Sequence, residues 1–152
     1  MSPFFALGGL SWAVGSNRTM ALDFGGKKIG VAITDQLGLT AQCRPTLIRS
    51  NDQEDILKIQ QLAEENDVAE VVVGHPLHMD GTASRQSKKT EGFARKLRTV
   101  LSVPVKLWDE RLTSFAAEQH LEQLGLDWRA RRKHVDEMAA VLILEDYLGG
   151  SL

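Results

Sequence analysis

Residues 20–35 read M-A-L-D-F-G-G-K-K-I-G-V-A-I-T-D. The stretch has the pattern of two short strands joined by a turn at Gly25-Gly26. Ile29, Val31 and Ile33 alternate with Gly30 and Ala32, a period of two with one bulky face and one small face. Asp23 stands among the apolar residues of the first strand. A carboxylate beside such a core is costly unless something compensates it. The candidates are a hydrogen bond from the turn, a cation such as Lys27, or a bound metal.

Beyond this hairpin a third strand is expected over roughly residues 42–48, and Pro45 places it at an edge or interrupts it. Ser50-Asn51-Asp52-Gln53 has the form of a capping box with Ser50 at the N-cap. Ile56, Ile59, Leu62 and Ala63 then recur at helical spacing, so residues 52–66 form an amphipathic helix. The β-branched run 68–73, bounded by Gly74 and Pro76, reads as a buried strand. A polar loop, 75–84, leads into a basic helix, 84–101, whose apolar side is Phe93, Leu97 and Val100. A strand over 103–108 follows, then a helix from Thr113 to Leu124 stopped by Gly125. A basic loop, 126–134, precedes a last helix, 135–148, ended by Gly149-Gly150. The order β-β-β-α-β-α-β-α-α implies an α/β fold, a mixed sheet covered on both faces.

The chain of 152 residues fits one domain, spanning 18–150, and 43% apolar residues suffice for one core. Residues 1–17 read as a tail, or as a stretch upstream of a later start near Val14 or Met20. Residues 3–14 are apolar but short, and no basic residue precedes them, which excludes a convincing membrane span or signal peptide. Cys43 is the only cysteine, so no internal disulfide or thiolate metal cluster can form, as suits a reducing cytoplasm. The net charge of -2 gives no global basic field, yet charge is uneven. Seven acids and one Lys fall between residues 52 and 70, while 85–98 holds six Lys or Arg and one Glu. Arg129, Arg131, Arg132 and Lys133 add a second basic run. Local stripes of this kind can meet phosphate, and each alone also reads as a solvated helix face.

Three acids stand where element ends would bring them together: Asp23 on the first strand, Glu110 after the last strand, and Asp136 in the first turn of the last helix. Ala139, Ala140 and Ile143 share a helix side with Asp136 and would let that helix sit close to the sheet. Clustered carboxylates persist when a divalent cation neutralises them, and hard oxygen ligands suit Mg²⁺ or Mn²⁺. Two such ions about 4 Å apart are a known arrangement for phosphodiester cleavage.

Four blocks then become recognisable: D-F-G-G-K-K-I-G-V-A from Asp23, V-V-V-G-H-P-L-H-M-D-G-T from Val71, D-E-R-L-T-S from Asp109, and V-D-E-M-A-A-V-L-I-L-E-D-Y-L from Val135. In this order they strongly resemble the YqgF/RuvX family, RNase H-like bacterial proteins described as Holliday-junction resolvases or pre-16S rRNA processing nucleases. The resemblance spans residues 20–148. It implies an RNase H-like fold: a mixed five-stranded sheet, the first three strands an antiparallel meander, with helices on both faces. It also implies a metal-dependent endonuclease, a hydrolase, whose ligands for Mg²⁺ or Mn²⁺ are Asp23, Glu110 and Asp136. Asp109 competes with Glu110 for the middle role, since adjacent residues of an extended segment point to opposite sides. The partner implied is nucleic acid, pre-rRNA first and branched DNA second, with no membrane, for a monomer or a homodimer.

Lys27, Lys28, Arg85, Lys88, Lys89, Arg111, Arg131, Arg132 and Lys133 are the candidate contacts to the nucleic-acid backbone. Trp128 is a candidate to stack on an unpaired base or to cover a helix junction. Some positions depart from the family pattern. His75 and His78 stand where Leu and Asn are usual, and Lys28 replaces an Arg, keeping charge without a bidentate fork. No carboxylate ends the fourth strand, where many RNase H-like nucleases place one, and Asp80 is the nearest acid after it. Two other classes remain open. An ATPase of the actin and sugar-kinase type opens with a similar hairpin but needs two such domains. A non-catalytic ribosome-assembly factor would keep the fold without cutting.

Overall fold

The computed structural model describes residues 17–76, 81–109 and 128–150, the last with side chains only from 138 to 149. Three strands open the chain, β1 (Arg18–Phe24), β2 (Lys28–Thr34) and β3 (Ala41–Ile48), followed by α1 (Asp52–Glu65) and β4 (Val68–His75). Next come α2 (Arg85–Val100), β5 (Val105–Asp109) and α3 (Trp128–Gly150). The five strands form one sheet in the order β3-β2-β1-β4-β5. β1, β2 and β3 are antiparallel neighbours, whereas β4 and β5 run parallel to β1. The expected meander and mixed sheet are both present.

The alternation in the hairpin decides how the layers stack. Met20, Leu22, Phe24, Ile29, Val31, Ile33, Val71 and Val73 meet Ile56 and Ile59 of α1 and Phe93 and Leu97 of α2 in the larger core. On the opposite face Ala21, Ala32 and Val72 are buried with Ala140, Ile143 and Leu144 of α3. Among the described residues, large side chains thus hold α1 and α2 on one face, and small ones admit α3 closely on the other. The C-terminal end of α3 is fastened to the sheet by Tyr147, whose hydroxyl donates to Glu70 of β4 at 3.0 Å. The Lys106 ammonium reaches the Tyr147 hydroxyl at 3.2 Å and the Glu70 carboxylate at 3.2 Å. Its hydrogen bond to Tyr147, then that to Glu70, pushes its pKa above the ordinary lysine value. Among the described residues no helix is long and apolar enough to cross a membrane.

β3 is an edge strand, as Pro45 requires. Its register on β2 slips between Leu47 and Arg44, so that Pro45 and Thr46 together oppose Gly30. In the turn before it, Gly38 takes φ 75°, and a Cβ there would meet the Asn17 carbonyl oxygen at 2.6 Å.

Several elements differ from expectation. Asn51, not Ser50, caps α1: its extended backbone turns its side chain to accept from the Glu54 amide at 2.9 Å. Ser50 lies one residue outside, its amide donating to the buried Asp55 at 3.1 Å. β4 runs on through Gly74 and His75, because both pair in register with Trp108 and Asp109 of β5. Val100 ends α2 40% exposed, although Phe93 and Leu97 are buried as expected. The largest difference is α3, which begins at Trp128 and not at residue 135. Residues 128–133, W-R-A-R-R-K, contain good helix formers and neither Gly nor Pro, so nothing in them ends a helix. The basic run 129–133 is therefore helical, and Asp136 lies more than two turns inside α3, beyond the helix dipole's reach. Gly149 and Gly150 are the last residues of α3 and lie within it.

Candidate active site

Asp23 is the penultimate residue of β1, half-buried, and paired with Gly30 of β2. Strand alternation puts it on the face of Ala21, under α3. On its other side the parallel register pairs Leu22 with Val73, so Gly74 follows beside Asp23. Both strand neighbours of the carboxylate on this face thus lack side chains. The next strand brings Trp108, in register with Gly74. Its indole N–H donates to Asp146 at 2.6 Å and its ring packs edge-on against Tyr147 at 5.1 Å. Across the end of the sheet the α3 face therefore reads Gly30, Asp23, Gly74, Trp108.

The residue after Asp23 points the other way. Phe24 stacks on Phe93 of α2, ring centroids 4.2 Å apart. Its carbonyl oxygen accepts from the Gln86 side-chain amide at 2.8 Å. Gln86 lies in the first turn of α2, whose start is closed by a capping box: Ser84 accepts from the Ser87 amide at 2.9 Å, and Ser87 accepts from the Ser84 amide at 2.7 Å. This contact docks the positive end of α2 at the strand end that carries Asp23. Arg85, Lys88 and Lys89 are exposed on the docked helix, and no acid occupies its first turn. Lys27 and Lys28, beyond the turn from Asp23, are exposed as well.

The structure sets Asp23, the Lys27-Lys28 turn and the start of α2 with Arg85, Lys88 and Lys89 at one end of the sheet, Asp23 on the α3 face and α2 on the other. It also places one of the two candidates for the middle acid. On β5, Val105 and Leu107 face the larger core, so Asp109 shares their side, opposite Asp23, in register with His75. Glu110 and Arg111 lie outside the described residues, as do His78, Asp80, the helix expected over 113–124 and residues 1–16. Asp136, Arg131, Arg132 and Lys133 are placed on the backbone of α3 only. His75 bonds Glu91 of α2 at 3.0 Å. Among the described residues no three His, Cys, Asp or Glu side chains converge as a metal site.

Two residues that sequence reasoning passed over hold this corner together, Gln86 and Arg49. Gln86 carries no pattern that singles it out. Arg49 did leave a trace: a cation just after an apolar strand, followed by Asp55 among the apolar positions of α1.

A sheet of this order and direction, with α1 and α2 on one face and α3 on the other among the described residues, is the RNase H-like fold. RuvC of T. thermophilus, solved in complex with Holliday junction substrate, shares it at TM-score 0.51 and 17% identity, over 87% of this chain and 96% of that one. Residues 17–150 match RuvX, described as "Holliday junction resolvase", and the chain belongs to the RuvX family. A relative from Syntrophus aciditrophicus, named "Putative pre-16S rRNA nuclease", is 47% identical over 131 residues, covering 86% of this chain and 87% of its own. One of the same name from Shouchella clausii is 47% identical over 133 residues, covering 86% and 94%.

Proposed function

We propose that this protein is a metal-dependent endonuclease that hydrolyses phosphodiester bonds in structured nucleic acid, with the 5′ end of pre-16S rRNA as first substrate and branched DNA as second. The observation that carries the reading is the setting of Asp23, a half-buried carboxylate at a strand end, flanked by two glycines, on the face that α3 covers. Family membership and the names of the relatives supply the substrate classes.

The direction of α3 supports Asp136 as a partner. Tyr147 is tied to Glu70, which pairs with Thr19 near the start of β1. Ala140 is buried with Ala21 further along that strand. One more helical turn toward the N-terminus reaches residue 136, about 6 Å on. Two strand residues, from Ala21 to Asp23, advance about 6.7 Å. Both steps lead toward the end of the sheet that carries Asp23, which favours residue 136 as its partner. The position of Asp109 on the opposite face favours Glu110 for the middle role.

This donor set fits a divalent cation, since carboxylate oxygens are hard ligands and glycine neighbours leave room beside Asp23. Asp23, Glu110 and Asp136 would hold Mg²⁺ or Mn²⁺. When bound, the ion offsets the mutual repulsion of the acids and lowers the pKa of water, which serves as nucleophile. Lys27, Lys28, Arg85, Lys88, Lys89 and Arg111 would position the nucleic-acid backbone around the acids, together with Arg131, Arg132 and Lys133 of α3.

The test is to offer labelled pre-16S rRNA and a four-way DNA junction side by side, with Mg²⁺, Mn²⁺ or chelator. Metal-dependent cutting of the RNA at lower enzyme concentration than the junction is expected. Preference for the junction would assign the protein to recombination. Gly74, standing where a fourth-strand acid would lie, favours a second reading, a non-catalytic assembly factor, which binding of the RNA without any product would support.

A further inference from the structure

The turn that follows Asp23 is held from beneath by a cation with no surface role. Arg49 leaves the end of β3 and passes under the hairpin. Its backbone amide donates to the Lys27 carbonyl at 3.0 Å, and its guanidinium reaches the Gly25 carbonyl at 3.5 Å. The same guanidinium lies over the Phe24 ring, 4.3 Å from its centroid, while Phe93 stacks on that ring. Its Nε donates to Asp55 at 3.1 Å, and a second nitrogen pairs with Asp52. Asp55 is fully buried, and its remaining oxygen accepts from the Ser50 amide at 3.1 Å. Asp52 is shared with Lys96 of α2 at 2.7 Å, a hydrogen bond that leads the causes holding its carboxyl below the ordinary aspartate value.

A carboxylate inside a core is tolerated only with such compensation, and Arg49 together with Ser50 supplies it. The geometry also fixes three of the four residues beyond Asp23: Phe24 by its ring, Gly25 and Lys27 by their carbonyls. Hairpin ends ordinarily fray, and a turn containing Gly25 and Gly26 has little stiffness of its own. Without the clamp, Asp23 and the two lysines would share a loose end of sheet.

We infer that Arg49, locked by Asp55, is a positioning residue that sets Asp23 for cation binding, acting through the Phe24–Lys27 backbone. The inference rests on the metal-dependent reading above and adds to it a residue on the opposite face of the sheet from the acids.

Removing Arg49 alone would strand a buried charge, so the test uses Arg49→Met with Asp55→Asn, whose side-chain oxygen still accepts from Ser50. Wild type, this double variant and Asp23→Asn are compared as full chains. Hydrogen exchange reads the turn, and water-proton relaxation reads binding of Mn²⁺ alone. The double variant is expected to keep wild-type exchange in β1 and β4, to exchange the Gly25 amide faster, and to bind Mn²⁺ about tenfold more weakly, as loss of an outer-shell support does. Unchanged exchange at Gly25, or a loosened turn with wild-type Mn²⁺ affinity, would overturn the inference. If wild type and Asp23→Asn bind Mn²⁺ alike, the metal reading itself fails and the inference falls with it. Mn²⁺ binding that Asp23→Asn removes and the double variant retains in full would sink the inference alone.

Discussion

At the scale of single residues, the surroundings of Asp23 are defined by what is missing. Gly30 and Gly74 give it neighbours without side chains, and Ala21, Ala32 and Ala140 keep the helix above it close. Ala140→Leu tests this closeness. Ala140 is fully buried, so the added volume must lift α3 or distort it, at about 1–3 kcal/mol. Thermal unfolding should report a lower midpoint by about 2–4 °C per kcal/mol of destabilisation. If the alanines set the distance between helix and acids, cutting should fall further than stability explains. The small face was legible in the sequence because a period of two records both faces of a strand at once. Gln86 was not legible, because its hydrogen bond to Phe24 spans 62 residues and leaves no local pattern, and Arg49, whose bond to Gly25 spans 24, left only the trace of a cation after an apolar strand.

At the scale of elements, the hairpin, the edge strand with Pro45 and the apolar spacing of α1 followed from sequence, since each is a local rule obeyed locally. The start of α3 did not. Leu126 to His134 looked like a loop because it is basic and follows a glycine, yet its residues favour helix and Trp128 already belongs to it. The cap of α1 turned on one residue: Ser50 and Asn51 are both good caps, and the pull of Asp55 on the Ser50 amide leaves the position to Asn51. Asn51→Ala should therefore destabilise the protein by about 1 kcal/mol. Ser50→Ala should change it by no more than about 0.5 kcal/mol, as surface substitutions do. Equal losses in urea unfolding would return the cap to Ser50.

At the scale of the whole molecule, charge is divided by location. The exposed acids Glu64, Glu65 and Asp67 lie on the last turn of α1 and the turn after it, away from the hairpin end. Lys27 and Lys28 cluster with Arg85, Lys88 and Lys89 around the end of the sheet that carries Asp23. A protein of net charge -2 can thus present cations to a polyanion and turn its acidic side away. Replacing Arg85, Lys88 and Lys89 by Gln should weaken binding of RNA and junction alike. It should also lower the slope of log affinity against log salt by about 1 for each phosphate that is no longer neutralised. A slope that does not move would place the nucleic acid elsewhere. The most direct measurement of the central claim compares binding and cutting in one reaction, wild type against Asp23→Asn, in Mg²⁺ and in Mn²⁺. The variant is expected to bind RNA and junction as wild type does and to cut neither. Cutting by Asp23→Asn at the wild-type rate would contradict a site built on Asp23.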